Sequence, residues 1–517
     1  MTNPRHGLSR RHFLHAGSLS VAAPLAACAV GTSPDLVQIG QGRLRGVRDN
    51  GVVAFRGIPY AGDVRGMGRF RPAPPPPTWD GVRPAMSFGP SPVQGVRLRE
   101  GMPIAEDCLT LNVWAPENAH QAPVFVWIYG GSNVGGTSAS TAYDGATFAR
   151  AGIVCVTLNY REGAFGFLAL HDLLGAPYAL SGNAALTDQI AALRWVRDNI
   201  AAFGGNPGHV VLGGESAGAK NVLAVATSTE GRGLCHGLIM ESGGGQTVFS
   251  PDEATRNARA FCATAGLDPD REAARLRTQS ATRLLAAQEQ FLAAPPCRFP
   301  FRSVVDGQLL KTSPLAAVQA GAIRDLPLLI GSNADESHLF LPANRAAERP
   351  RRSDVANMNP DDLPRMEDAY DAHFPAMDPA ERHWRLLTAE EYWIPTLRVA
   401  EAQRAAGGAV WMYRFDTPAA RGHFVGLAPH AAELAYVWDI THSHVTRLVN
   451  GPKLRAPDLA REMHARWIAF IEDLRPDRGV VWPSYDPTTR QTMVFNARSD
   501  VQSDPRGDER ALWTGVL

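Results

Sequence analysis

Ser216 stands in Gly214-Glu215-Ser216-Ala217-Gly218, a G-x-S-x-G pentapeptide between an apolar run and a stretch of small residues. The pattern suits a nucleophile. A serine on a sharp strand-to-helix turn has a strained backbone, and its flanking residues must be tiny. Serine is a weak nucleophile by itself and needs a base, a group to orient that base and donors for a developing oxyanion. Further along the chain, Leu329-Ile330-Gly331-Ser332-Asn333-Ala334-Asp335-Glu336 runs from an apolar segment into a polar loop. It offers two carboxylates, Asp335 and Glu336, and residue chemistry leaves both open. His430 follows in a small-residue loop, Gly426-Leu427-Ala428-Pro429-His430, and is the candidate base. Nucleophile, acid, base is one of the chain orders in which hydrolytic triads occur. Upstream, Tyr129-Gly130-Gly131-Ser132-Asn133 could turn backbone N–H groups inward as an oxyanion hole. The implied chemistry is acyl transfer through a covalent intermediate.

These residues need elements that bring them to one place. Val124–Tyr129, Ile153–Leu158, Val210–Leu212, Leu238–Met240, Leu326–Ile330 and Val410–Phe415 are continuously apolar, as buried parallel strands are. Helical spacing lies between several of them, most clearly from Asn183 to Phe203. The alternation predicts a doubly wound, mostly parallel α/β sheet whose C-terminal edge carries the reactive loops. Val37 to Phe55 reads as a hairpin region and Pro72 to Pro77 as a surface loop. Two charged, helix-rich stretches, about 251–290 and about 343–406, read as insertions over the sheet rather than separate domains.

Other chemistries are weak. His442-Ser443-His444 lacks a third ligand and does not share a helix face, so no metal is expected. Gly204-Gly205-Asn206-Pro207-Gly208 lacks the P-loop lysine. Lys plus Arg and Asp plus Glu both number 51, so the 517-residue chain has no net field for nucleic acid. Of six cysteines, Cys155 and Cys235 sit in apolar runs and read as core. The N-terminus carries Ser9-Arg10-Arg11-His12-Phe13-Leu14, which resembles a twin-arginine export signal, followed by an apolar stretch too short to span a bilayer. It ends in Leu25-Ala26-Ala27-Cys28, which resembles a lipobox, with Cys28 as the lipidated residue. Residues 1–28 are therefore expected to be an export signal, 29–36 a tether and 37–517 the catalytic domain. The expected location is the periplasm, with membrane anchoring through lipidated Cys28, or else secretion.

From about Val37 onward the chain resembles the type-B carboxylesterases of the α/β-hydrolase fold. The resemblance rests on Phe55-Arg56-Gly57-Ile58-Pro59-Tyr60-Ala61, Glu106-Asp107-Cys108-Leu109-Thr110-Leu111-Asn112-Val113 and Phe203-Gly204-Gly205-Asn206-Pro207 leading into the serine pentapeptide. The family implies Glu336 over Asp335 as the acid and supports His430 as the base. It also implies oxyanion N–H groups from Gly131, Ser132 and Ala217, buried supporting groups at Glu215, Glu433 and Ser242, and structural ion pairs Arg69–Glu106 and Arg161–Asp188. The expected activity is hydrolysis of small to medium carboxylic esters, aromatic ones included, without a cofactor. Other acyl transfer (thioester or amide hydrolysis, transacylation) and a non-catalytic binding role are the alternatives. Five departures stand out. Ser132 replaces a usual glycine, Asn133 replaces an aromatic and should make the pocket mouth more polar, and Lys220 takes a position usually small. Cys108 and Cys262 lack the cysteines that pair with them in the family. Between Ser91 and Glu106 the tryptophan that binds choline in cholinesterases is missing, which disfavours a quaternary ammonium substrate. The two insertions are expected to roof the pocket, with Tyr129 and Asn133 near the reacting centre and Trp393 and Phe424 as aromatic walls. Oligomeric state is left open.

Overall fold

The apolar runs become the middle of an eleven-stranded mixed sheet in a computed structural model that describes residues 33–96, 100–340, 349–478 and 481–517. Across the sheet the strands are Asp500–Ser503, Gln491–Phe495, Val410–Phe415, Leu328–Asn333, Gly237–Glu241, Gly205–Glu215, Ala122–Ile128, Val154–Leu158, Thr110–Pro116, Val52–Pro59 and Val47–Asp49. The strands from Gln491–Phe495 through Val154–Leu158 are parallel to one another, and the flanking ones are antiparallel. Each central strand is buried along almost its whole length, which explains the absence of alternation in the sequence. Leu36–Ile39, Gly42–Arg45 and Val82–Pro84 form a separate three-stranded sheet, so the Val37–Phe55 region holds two hairpins, one in each sheet.

Three strands outside the central run were not legible as strands. Thr110–Pro116 mixes polar and apolar residues, and Gln491–Phe495 and Asp500–Ser503 are short and lie outside any helix–strand alternation. The helix expected from Asn183 to Phe203 is an α-helix, Ala184–Asn199, ending in a 3-10 turn that Gly204 closes at φ 79°. Residues 251–293 form two α-helices, Pro251–Thr264 and Ala281–Ala293, the first opened by a Ser250/Glu253 capping box. Within 349–405 lie the helices Leu363–His373, Pro379–Thr388 and Ile394–Ala405, with a π-helical turn at Ala389–Trp393.

Register sets up the reactive edge. Glu215 pairs with Glu241, Glu241 with Gly331, and Gly214 with Ile128. The chain therefore leaves these four strands at one level, and Ser216, Ser242, Asn333 and Tyr129 emerge side by side. Cys108, Cys155, Cys235, Cys262 and Cys297 are free thiols. The export signal, the lipobox and residues 29–32 of the tether fall outside the described residues. Among the described residues no helix is long and apolar enough to cross a membrane.

Candidate active site

Ser216 joins strand Gly205–Glu215 to helix Ala217–Thr227 with φ 57° and ψ −124°. Such a backbone costs a non-glycine residue on the order of 1–3 kcal/mol and is typical of a functional turn. Its flanking glycines are required by contact. A Cβ on Gly218 would lie 2.0 Å from the Ile128 carbonyl oxygen, and one on Gly214 would lie 2.6 Å from it. The Ser216 N–H donates to the Glu241 carbonyl at 2.8 Å, which pins the turn to the neighbouring strand.

The oxyanion loop follows strand Ala122–Ile128. Gly131 has φ 124°, Ser132 φ 57° and Asn133 φ 58°, so the serine that replaces a glycine takes the left-handed backbone that resists it. Among the described residues the N–H groups of Gly131, Ser132 and Ala217 donate to no protein acceptor. Asn133 is locked in place, donating to the Phe301 carbonyl at 3.1 Å and accepting from Asn221 at 2.9 Å.

His430 is buried, and its Nδ1 lies 2.5 Å from Glu336 Oε2. Glu336 Oε1 accepts from the Asn333 N–H at 2.7 Å. Asp335 does not reach the imidazole; its carboxylate accepts from the Ala428 N–H at 2.8 Å and braces the loop that carries His430. Phe340 and Tyr392 pack their rings 5.0 and 4.6 Å from the imidazole. On the other side, Nε2 lies 3.0 Å from Glu215 Oε1, and no hydrogen bond joins it to Ser216. The carboxylate draws the imidazole edge that would otherwise face the serine hydroxyl.

Buried carboxylates crowd this end of the sheet. Glu433 accepts from Ser242 Oγ at 3.4 Å and from Asn333 Nδ2, and Glu241 accepts from Trp467 Nε1 at 2.8 Å. Burial, together with repulsion from Glu215 and Glu336, pushes the Glu433 carboxyl up to about 8. Burial and Glu433 push Glu241 well above the usual carboxylate range. Burial alone would depress His430, but attraction to Glu215 and Glu336 outweighs it and raises the imidazole well above its ordinary value.

Ser216 and Ser132 form part of the wall between two cavities. A chamber of about 530 Å³ is lined by Ser216, His430, Tyr129, Leu285, Phe340 and Leu448, among others. A smaller recess of about 20 Å³ holds Ala217, Lys220 and Arg302 beside the same serine. Several expectations change here. Helix Ala281–Ala293 from the first insertion does wall the chamber, but no described residue of 343–406 lines it. That segment buries its apolar face in its own cluster around Met366, Tyr370 and Trp513, and the opposite wall comes from helix His444–Val449. Trp393 belongs to that cluster and Phe424 is buried elsewhere, so neither lines the chamber. Tyr129 does. Asn133 lies on the recess, not at the chamber mouth. His444 lines the chamber, and among the described residues no group of three or more His, Cys, Asp or Glu could hold a metal. Both ion pairs form: Arg69–Glu106 at 2.5 Å and the buried Arg161–Asp188 at 2.6 Å.

Sequence reasoning missed Asn333, which ties Glu336 to Glu433, and Tyr392, which reaches His430 from a π-helical turn. Asn333 could have been marked as the polar residue ending a buried strand; Tyr392 carries no local signal.

Residues 33–513 match the carboxylesterase family. The chain is 33% identical over 484 residues to the para-nitrobenzyl esterase of Bacillus subtilis, covering 91% of this chain and 96% of that protein. It is 34% identical over 499 residues to the fumonisin B1 esterase of Sphingopyxis macrogoltabida, covering 93% and 89%. A crystal structure of a Geobacillus stearothermophilus carboxylesterase superposes with a TM-score of 0.82 at 36% identity, over 93% of this chain and all of that one.

Proposed function

The chain belongs to the carboxylesterase family and is an ester-hydrolysing serine hydrolase, and we propose that Ser216, His430 and Glu336 carry its reaction. The observation that carries this reading is the 2.5 Å contact between Glu336 and His430 on a chamber wall shared with Ser216. Substrate entry brings the imidazole Nε2 from Glu215 to the serine hydroxyl; such contacts are often loose before substrate binds. Ser216 Oγ then bonds to the ester carbonyl carbon as its proton passes to His430 Nε2. Gly131, Ser132 and Ala217 N–H groups hold the oxyanion. The carbon–oxygen bond to the alcohol breaks, and His430 returns the proton to the leaving oxygen. Water, deprotonated by His430, attacks the acyl-enzyme, and the acid leaves as Ser216 recovers its proton. Glu336 fixes the imidazole tautomer and stabilises the imidazolium.

The chamber suits a medium apolar or aromatic group, because Tyr129, Phe340, Leu285 and Leu448 line it. Comparing benzyl acetate with its thioester and amide analogues tests the reaction type. Ester turnover alone supports the reading; faster amide or thioester turnover replaces it. We further propose export by the twin-arginine residues Arg10 and Arg11, with lipidation at Cys28. Globomycin should then block maturation, and unchanged processing would point to an ordinary cleaved signal.

A further inference from the structure

Lys220 sits one helical turn after the nucleophile, its N–H donating to the Ser216 carbonyl at 3.1 Å, so both side chains share a helix face. Its side chain is 15% exposed, and its ammonium makes no hydrogen bond among the described residues. The nearest carboxylate oxygen, Glu391 Oε1, is 3.9 Å away, too far for a hydrogen bond, and the other oxygen of that carboxylate, Oε2, pairs with Arg298 at 3.0 Å. The rings of Phe299 and Tyr392 lie 4.7 and 5.6 Å from the ammonium, which leaves its charge attracted but not bonded. Arg302 lines the same recess and donates to backbone carbonyls rather than to a carboxylate. Glu390, the other nearby acid, is turned away to accept from the Ala356, Asn357 and Met358 N–H groups, and burial raises it to about 7. The recess therefore holds more positive than negative charge. Phe299, between the two arginines, has φ 51°, a left-handed backbone that a bulky residue adopts only under constraint. Burial, and Arg302 and Arg298 nearby, depress the Lys220 ammonium against the pull of Glu391, as expected for a cation short of counter-charge.

The two cavities also divide the substrate. The leaving alcohol oxygen takes its proton from His430, and His430 lines the chamber but not the recess. The alcohol therefore occupies the chamber, and the acyl chain points past the oxyanion loop to Lys220. Resting on the esterase reading above, we propose that the recess is a carboxylate-binding subsite, and that the preferred substrates are half-esters of short dicarboxylic acids. The free acid end of the acyl group meets Lys220 and Arg302, the two cations that line the recess.

The test compares kcat/KM for monobenzyl glutarate and benzyl pentanoate, which differ only in a terminal carboxylate against a methyl group. The unsubstituted protein should favour the glutarate ester at least tenfold. Lys220→Met should cut that ratio tenfold or more, and Lys220→Arg should keep it. A preference for benzyl pentanoate, or a ratio unmoved by Lys220→Met, overturns the proposal. If Lys220→Met does not fold, inhibition of phenyl acetate hydrolysis in the unsubstituted protein decides. 5-Oxohexanoate, which carries a terminal carboxylate, inhibiting at least tenfold more tightly than 2-hexanone, which ends in a methyl group, supports the subsite, and equal inhibition overturns it. Turnover of neither benzyl ester by a protein whose Ser216 still reacts with a fluorophosphonate overturns the subsite alone. Without that labelling, the esterase reading itself falls.

Discussion

Glu215→Gln should move the acid limb of the pH–rate profile to lower pH. His430 must be neutral to accept the Ser216 proton, yet Glu215 lies 3.0 Å from its Nε2 and Glu336 lies 2.5 Å from its Nδ1. Both carboxylates favour the imidazolium, and together they outweigh burial. The sign follows: removing one of them lowers the pKa, so the base is free at lower pH. With an effective dielectric of about 20, a unit pair at that separation interacts by roughly 5 kcal/mol. At about 1.36 kcal/mol per unit, the ceiling is about four pH units. Glutamine keeps an oxygen that can accept from Nε2, and Glu336 stays, so a downward shift of about one to two units is expected. The assay is kcat/KM for phenyl acetate from pH 5 to 9 at constant ionic strength, which reports the free enzyme. An acid limb that stays in place, or that moves upward, would refute the claim that Glu215 holds the proton on His430.

Glu336→Gln should lower kcat a hundredfold or more, whereas Asp335→Asn, which touches only the Ala428 N–H, should stay within several-fold; steady-state kinetics on the two variants checks the ranking. Glu433 has a folded-state value raised to about 8, so the folded protein keeps a proton that the unfolded chain loses near pH 4.3, and stability falls as pH rises across that window. Thermal midpoints from pH 5 to 8 should therefore decline less in Glu433→Gln than in the unsubstituted protein; equal slopes would place the proton elsewhere. Gly218→Ala would drive a methyl group to 2.0 Å from the Ile128 carbonyl, so soluble yield and activity should both collapse, and near-normal behaviour would mean the elbow is not under this constraint.

The sequence spoke most clearly where one local feature decides one local structure. The continuous apolar runs became central strands because both faces of the sheet are covered, and the glycines around Ser216 report a backbone clash that any larger residue would suffer. Glu336 needed more: Asp335 is its neighbour, and only the turn after Asn333 sends one carboxylate to His430 and the other to Ala428. The Glu215–His430 contact was not legible, because it joins residues 215 positions apart and depends on how deeply the imidazole sits. The walls were misjudged for the same reason. Trp393 reads as an available aromatic, but the amphipathic face of residues 363–394 closes on Trp513 at the C-terminus, a pairing that periodicity cannot specify. Lys220 was visible as an oddity, and it gained a meaning only when Arg302, Phe299 and Glu391 from distant segments gathered around it.

The central claim is that Ser216 forms the acyl-enzyme. The direct measurement is p-nitrophenyl acetate and butyrate hydrolysis by the mature chain and by Ser216→Ala, with peptide mapping of the site a fluorophosphonate modifies. The account predicts turnover and modification at Ser216 in the first protein and neither in the second. Retained hydrolysis in Ser216→Ala, or modification at another residue, would contradict it.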